Sequence, residues 1–328
     1  MQTATFAQIR PRFGAALLLA LALGSCSTPN PERPTTAGLT AHERALAEKE
    51  FTLPPEDSNL EREGLGDGAM GAFLADIDQR ARAWNNLKLT ARTSADRQKL
   101  SALEREVVEL ARKRVDDLIV ELQQGPVRNR SIAAMGLGFS KDPRALGPLL
   151  AALVDPEEAV VENALVALGF QASKDTALAP LAALLESSSN ERLRVNAAYA
   201  LQRTIAAGAR DPEVLPALRG ALADPEGGVR ASAALSLSVH GDAESVDAFG
   251  DMLFDEVNFA ALAAASALAR LGNEVPSTRS KAARYLADAY GKSSGARRRT
   301  LQRELIVLSG MNLGEDPAAW LDWALRVQ

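Results

Sequence analysis

The sequence predicts an all-α protein, an α-solenoid of stacked helix pairs behind an N-terminal helical hairpin. Three observations carry this. Asp142-Pro143, Asp155-Pro156, Asp211-Pro212, Asp224-Pro225 and Asp316-Pro317 each open an Ala/Leu-rich run. Asp accepts a hydrogen bond from an otherwise unpaired N–H of a first helical turn, and Pro fits the first helical position because its missing donor had no partner there. The runs return with small residues in register, as repeated helix pairs do. Only 5% of the residues are aromatic, and no segment alternates β-branched with polar residues in the manner of a strand.

Residues 1–25 read as a targeting segment. Arg10 and Arg12 precede an apolar run, Phe13 to Gly24, too short to span a bilayer. Leu23-Gly24-Ser25-Cys26 follows directly and resembles the lipobox of bacterial lipoproteins: an aliphatic residue, two small ones, then the cysteine that is lipidated and becomes the first residue. The resemblance implies a membrane anchor at Cys26. A plain secretory signal with Cys26 incidental is the alternative. Several acyl chains on one cysteine hold where a single chain gives only marginal binding. In that class Ser27, where Asp would mark the inner membrane, implies the outer membrane facing the periplasm. Cys26 is the only cysteine, so no intrachain disulfide forms. Removing residues 1–25 takes the formal net charge from −5 to −7. That acidity, with export, excludes a general nucleic-acid binder.

Residues 26–40 hold Pro29, Pro31 and Pro34 among Ser, Thr and Asn and read as an extended tether. Residues 41–68 combine a short helical stretch, Ala41 to Phe51, with a loose segment rich in Pro and Gly. Helical patterning is sustained from residue 69. Met70, Phe73, Leu74, Ile77, Ala81, Trp84 and Leu87 fall on one face. Thr93 and Asp96 form a capping-box pattern with Asp in place of Glu. The stripe Leu100, Leu103, Val107, Leu110, Ala111, Val115, Leu118 and Leu122 then predicts one second helix, closed by Gly125-Pro126. Residues 69–125 are thus expected to be an antiparallel hairpin capping the array. A dimerising coiled coil is the alternative, opposed by a heptad that lapses after about three turns.

The repeats are expected over residues 126–291. Starts aligned at Val127, Val160, Leu193, Val229 and Ala260 put Ser131, Ala164, Ala197, Ala233 and Ala264 at the fifth position. The eighth holds Ala134, Ala167, Ala200, Ser236 and Ala267, and the ninth Met135, Leu168, Leu201, Leu237 and Leu268. Small residues let helices approach closely while the ninth side chain fills the core between layers. Residues 292–328 form a degenerate last pair that closes the array. Val127-Arg128, Leu193-Arg194 and Val229-Arg230, each leading into the small-residue helix, resemble HEAT repeats, most nearly the short bacterial variety named after phycobilisome lyases. The resemblance implies an armadillo/HEAT-type superhelix whose second helices line the concave side. Residues 160, 161, 260 and 261 depart from the Val-Arg pattern, so the layers are not all alike.

Chemistry-bearing residues are sparse. The two histidines, His42 and His240, lie far apart without a cysteine partner, which excludes a His/Cys metal site, and His240 is expected solvated in a turn. Gly291-Lys292-Ser293 lacks the glycine a phosphate loop needs at position 286, where Leu286 stands, and its surroundings read as helix. Asp155, Glu157, Glu158 and Glu162 are accounted for by a solvated helix N-terminus. Arg128, Arg194 and Arg230 are expected to tie each layer to an acid or carbonyl of the preceding turn, Asp224 serving Arg230. Trp320 and Trp323 are expected to plug the last layer.

The main charge asymmetry lies between Pro276 and Arg303, where Arg279, Lys281, Arg284, Lys292, Arg297, Arg298, Arg299 and Arg303 face a single acid, Asp288. A solvated face is the plain explanation. The sharper one makes Arg297, Arg298, Arg299 and Arg303 a contact for an anionic partner. Together these features predict a non-enzymatic, membrane-anchored envelope protein without cofactor or metal, whose solenoid is a scaffold for an unidentified envelope protein. A cell-wall, anionic-polymer or lipid tether through the basic stretch is one alternative. A lyase-type enzyme or chromophore-handling factor, implied by the family's name, is another, without a catalytic constellation to support it.

Overall fold

The structure, a computed structural model, describes residues 68–328. The signal segment, Cys26, the tether and His42 lie outside the described residues. Among those described, every regular element is helical. The first eight helices are α1 (Ala69–Thr90), α2 (Ser94–Arg112), α3 (Val115–Gln124), α4 (Val127–Ser140), α5 (Leu146–Ala151), α6 (Glu158–Gln171), α7 (Ala179–Ser187) and α8 (Glu191–Ala206). There follow α9 (Leu215–Gly220), α10 (Gly227–His240), α11 (Val246–Met252), α12 (Asn258–Glu274), α13 (Arg279–Lys292), α14 (Gly295–Ser309) and α15 (Pro317–Arg326). From α2 onward the even-numbered helices stack side by side, each on the next, the odd-numbered helices up to α13 pack against them, and α15 packs on α13. This is an α-solenoid of the armadillo/HEAT type.

The expected small-residue register explains the stack. Ala164, Ala167, Ala197, Ala200, Ala233, Ser236, Ala264 and Ala267 are buried, and Leu168, Leu201, Leu237 and Leu268 are wholly enclosed. A helix apolar all round belongs in a core, and α6 from Val160 to Gly169 is buried on every side. Glycine sets the closest approaches. A Cβ on Gly138 would lie 2.6 Å from the Ala167 Cα, and one on Gly169 would lie 2.5 Å from the Tyr199 ring.

These contacts correct the first repeat. Gly138 and Gly169 are both the twelfth residue of their helices, α4 and α6. Alignment on helix starts therefore places Asn129, not Val127, opposite Val160. Ala133, Gly136 and Leu137 then take the positions assigned to Ser131, Ala134 and Met135. All six sit on an Ala/Met/Gly-rich helix that is buried nearly all round, so a two-residue slip costs the pattern no apolar match.

The single second helix of the N-terminal hairpin is also corrected. It breaks at Lys113 and Arg114 into α2 and α3. Arg114 adopts φ −140° and ψ 41°. Its guanidinium lies 4.8 Å from the centre of the Phe73 ring and its Nε donates to Asp117 at 2.6 Å. Apolar spacing continues through the break, so periodicity gives no sign of it. The capping box is present: Thr93 Oγ1 accepts from the Asp96 N–H at 3.1 Å while the Asp96 carboxylate accepts from the Thr93 N–H at 2.9 Å. Hydrogen bonds from the Thr93 and Arg92 backbones hold the Asp96 pKa down at about 2.

The Asp-Pro dipeptides divide into two kinds. Asp142, Asp211 and Asp316 cap as expected, with Pro143, Pro212 and Pro317 opening the turn or helix. Asp155 and Asp224 do not cap a helix. Each accepts an N–H two residues on, Glu157 at 2.9 Å and Glu226 at 2.8 Å, and so shapes the turn before α6 and before α10. Their remaining lone pairs serve arginines. At the far end Trp320 is wholly buried, edge-on to Tyr290, and its Nε1 donates to the Gly314 carbonyl at 2.8 Å. Trp323 is half-buried against it.

Candidate interaction surfaces

An arginine at the fourth position of a stacking helix recurs as a clamp. Arg130 of α4 pairs with Asp155 at 2.8 Å, Arg194 of α8 with Asp224 at 2.8 Å, and Arg230 of α10 with Asp255 at 2.7 Å. Each also donates to the turn that precedes its own helix: to Gly125, to Ser188 and Ser189, and to Asp224 and Pro225 carbonyls. The acid thus comes from the turn after the arginine, and the carbonyls come from the turn before it. Arg230 takes its carboxylate from Asp255, and Asp224 lends it only a backbone oxygen. The side-chain bonds raise the pKa of Arg194 and Arg230. Val161 and Ala261 fill the position in α6 and α12, and the turns that follow carry Ser188 and Lys292 where the acid would stand. From α4 to α12, arginine and acid are present together or absent together.

Arg130 escaped the sequence pattern because the slipped register hid it. Arg128, which the pattern selected, lies instead 3.8 Å from Asp78 of α1. The acidic cluster is a solvated helix end only in part: Glu157 and Glu158 are exposed at the start of α6. Asp155 belongs to the clamp, Glu158 accepts from Asn190 at 2.8 Å, and Glu162 is buried with Arg192 Nη2 at 2.6 Å. Burial raises the Glu162 pKa, and Arg192 opposes the shift. His240 is not a solvated turn residue. It ends α10 half-buried, its Nε2 has no hydrogen-bond partner among the described residues, and burial followed by Arg210 pushes its pKa down. Lys292 ends α13 and pairs with Asp288 at 2.8 Å, so Gly291-Lys292-Ser293 is a helix end.

The basic stretch is distributed, not one patch. Arg279 donates to the Gly272 and Leu308 carbonyls, and Lys281 pairs with Asp247 at 2.7 Å. Arg297 and Arg298 are half-buried. Arg297 donates to the Asp255 carbonyl at 3.1 Å, while Arg298 donates to the Glu315 carbonyl at 2.8 Å and covers the Tyr290 ring. Arg299 and Arg303 are exposed one turn apart on α14, with Arg303 donating to Thr300 Oγ1 at 2.9 Å. Glu304 is beside them, its pKa raised by burial and lowered by Arg303. Leu321 and Leu325 of α15 are 44% and 60% exposed. The last described layer therefore exposes two arginines of α14 and two leucines of α15. Among the described residues no acid or His cluster could hold a metal, and no helix is long and apolar enough to cross a membrane.

Residues 115–202 and 178–269 match the family model of HEAT repeats. The chain carries HEAT repeats. The match begins at α3, so the helix before Val127 is part of the repeat pattern. No curated protein sequence matches the chain. Among solved structures, a designed armadillo repeat protein is 20% identical, with 59% of this chain and 99% of that one covered at a TM-score of 0.48. The archaeal HEAT-like repeats protein from Thermococcus onnurineus NA1 is 14% identical, with 68% and 94% covered at 0.48. The CpcE–CpcF complex of phycocyanin lyase from Nostoc sp. PCC7120 is 20% identical, with 66% and 93% covered at 0.41. At these values none of the three transfers an activity or a partner.

Proposed function

We propose that the protein is a non-enzymatic scaffold, held at the outer membrane of a bacterial envelope through lipidated Cys26, whose HEAT repeats bind an anionic partner protein. The observation that carries this reading is the exposed surface of the last described layer. There Leu321 and Leu325 of α15 and Arg299 and Arg303 of α14 are exposed. Exposed apolar and charged side chains together are the composition of a contact surface.

The test uses the full chain with Cys26→Ala, so that no acyl group masks the contact. In cells that variant should lose metabolic fatty-acid labelling, and equal labelling of variant and parent would end the anchor assignment. The soluble chain should be retained on purified envelopes. Retention should weaken with salt, as the Debye length shortens from about 10 Å at 0.1 M to about 3 Å at 1 M. Arg299→Glu combined with Arg303→Gln should remove most of it while the melting temperature holds. Protease treatment of the envelopes should abolish retention if the partner is a protein. Survival after protease, with equal retention on anionic vesicles or cell-wall polymer, would replace the scaffold by a tether.

A further inference from the structure

Gln171 ends α6 and His240 ends α10, each the fourteenth residue of its helix. From the aligned starts Val160 and Val229 each is also the twelfth, so the two side chains hold the same place in the repeat. Gln171 Nε2 donates to the Leu137 carbonyl of α4, in the layer before, at 2.7 Å. His240 Nε2 is shielded from solvent and has no hydrogen-bond partner among the described residues. The layer before His240 is α8, which runs on to Ala206. Arg210, beyond its end, donates to the Ile205 and Ala209 carbonyls at 2.7 Å each. Where Gln171 finds a carbonyl, the strongest charge acting on His240 is this guanidinium.

The other charges that act on the ring are Asp211, next to Arg210, and Asp242, two residues past His240. Both carboxylates are engaged elsewhere. Asp211 accepts the Glu213 N–H at 3.0 Å. Asp242, itself buried, accepts from Arg219 Nε of α9 at 2.9 Å and from Ser245 Oγ at 2.5 Å. The following layer contributes Val275: a Cβ on Gly241 would lie 3.5 Å from its Cγ2. A neutral imidazole can leave one nitrogen bare, whereas the cation is a donor at both. Protonation would therefore set an N–H in an enclosed place without an acceptor, near another cation, and such a group is destabilising.

We propose that the junction of α8 and α10 is a pH-sensitive joint, closed while His240 is neutral and loosened when it takes up a proton. The assignment stands apart from the scaffold reading and from Arg299 and Arg303. Burial and Arg210 hold the His240 pKa down, and Asp211 and Asp242 oppose them. With the folded value below the unfolded one, the stabilisation is complete above about pH 6.5 and is lost as pH falls through the folded value.

The test uses the full chain with Cys26→Ala and isotope-labelled histidine. The imidazole resonance that disappears in His240→Gln should titrate below about 6.5. Gln stands at the same place in α6, so this variant should fold; should it not, His42→Gln makes the assignment by removing the other resonance. Arg210→Met frees the two carbonyls and takes away the neighbouring cation, and should move the resonance upward. Hydrogen exchange, corrected for intrinsic rates, should rise from about pH 7.5 to about pH 5.5 in peptides of α8 and α10, by up to about tenfold for each unit of pKa depression. It should not rise so in His240→Gln. Glu162 and Glu304, whose pKa values are raised, respond to acid in the opposite sense, so the readout is the difference between parent and His240→Gln. A resonance titrating at the ordinary imidazole value or above it would overturn the proposal. So would no upward movement in Arg210→Met, or the same rise in exchange in His240→Gln as in the parent.

Discussion

Arg230 illustrates how much one side chain holds between two layers. Its side chain and that of Asp255 are 11% and 8% exposed, and the guanidinium also bonds two carbonyls of the preceding turn. Removing one member of a shielded pair leaves an uncompensated charge and costs about 3–5 kcal/mol. Arg230→Met should accordingly destabilise by ~3 kcal/mol in urea denaturation. Arg144→Met is the control. Arg144 also pairs with two acids, Asp116 and Asp142, but is 57% exposed. Solvent screening leaves such a pair little weight, so its loss should barely move the urea midpoint. Equal losses for the two substitutions would mean that the recurrent arginine is a surface pair and not a clamp between layers.

Between elements, the close approach of stacking helices is set by what is missing from them. The Gly138 position has no room for a methyl group because the opposing atom is the Ala167 Cα, which cannot rotate away. Gly138→Ala should therefore cost about 1–3 kcal/mol as an overpacked contact. Leu201→Ala, at a wholly enclosed position in α8, should cost about 2–5 kcal/mol as a cavity. Stabilisation by Gly138→Ala, as helix propensity alone would give, would mean that α4 and α6 are further apart than described. The sequence made the core register plain because Ala, Ala and Leu recur with it from Val160 to Leu268. It concealed the register of α4, where Ser131, Ala133, Ala134 and Gly136 are all small and two alignments fit equally well. It concealed the break at Arg114 because Ala111, Val115 and Leu118 keep helical spacing across it.

Across the whole stack each layer meets only its neighbours, so stability should be a sum of local terms and not a single all-or-none quantity. The consequence is sharpest at the C-terminal end. Trp320 fills the space between α13 and α15, wholly enclosed against Tyr290 and bonded to Gly314. Trp320→Ala should remove about 3–5 kcal/mol from that layer and open it locally. Hydrogen exchange should accelerate in α13, α14 and α15, fall off through α12, and remain at the parent rate in α4 and α6, read peptide by peptide by mass spectrometry. The parent itself should show its strongest protection in α6, α8 and α10, which have a stacked neighbour on both sides, and weaker protection toward α1 and α15. A uniform rise in exchange reaching α4 would show one cooperative unit in place of additive layers. Additivity also bears on binding: a partner that grips the last described layer at Arg299 and Arg303 should raise protection there and in α12, and leave α4 and α6 no more protected than before.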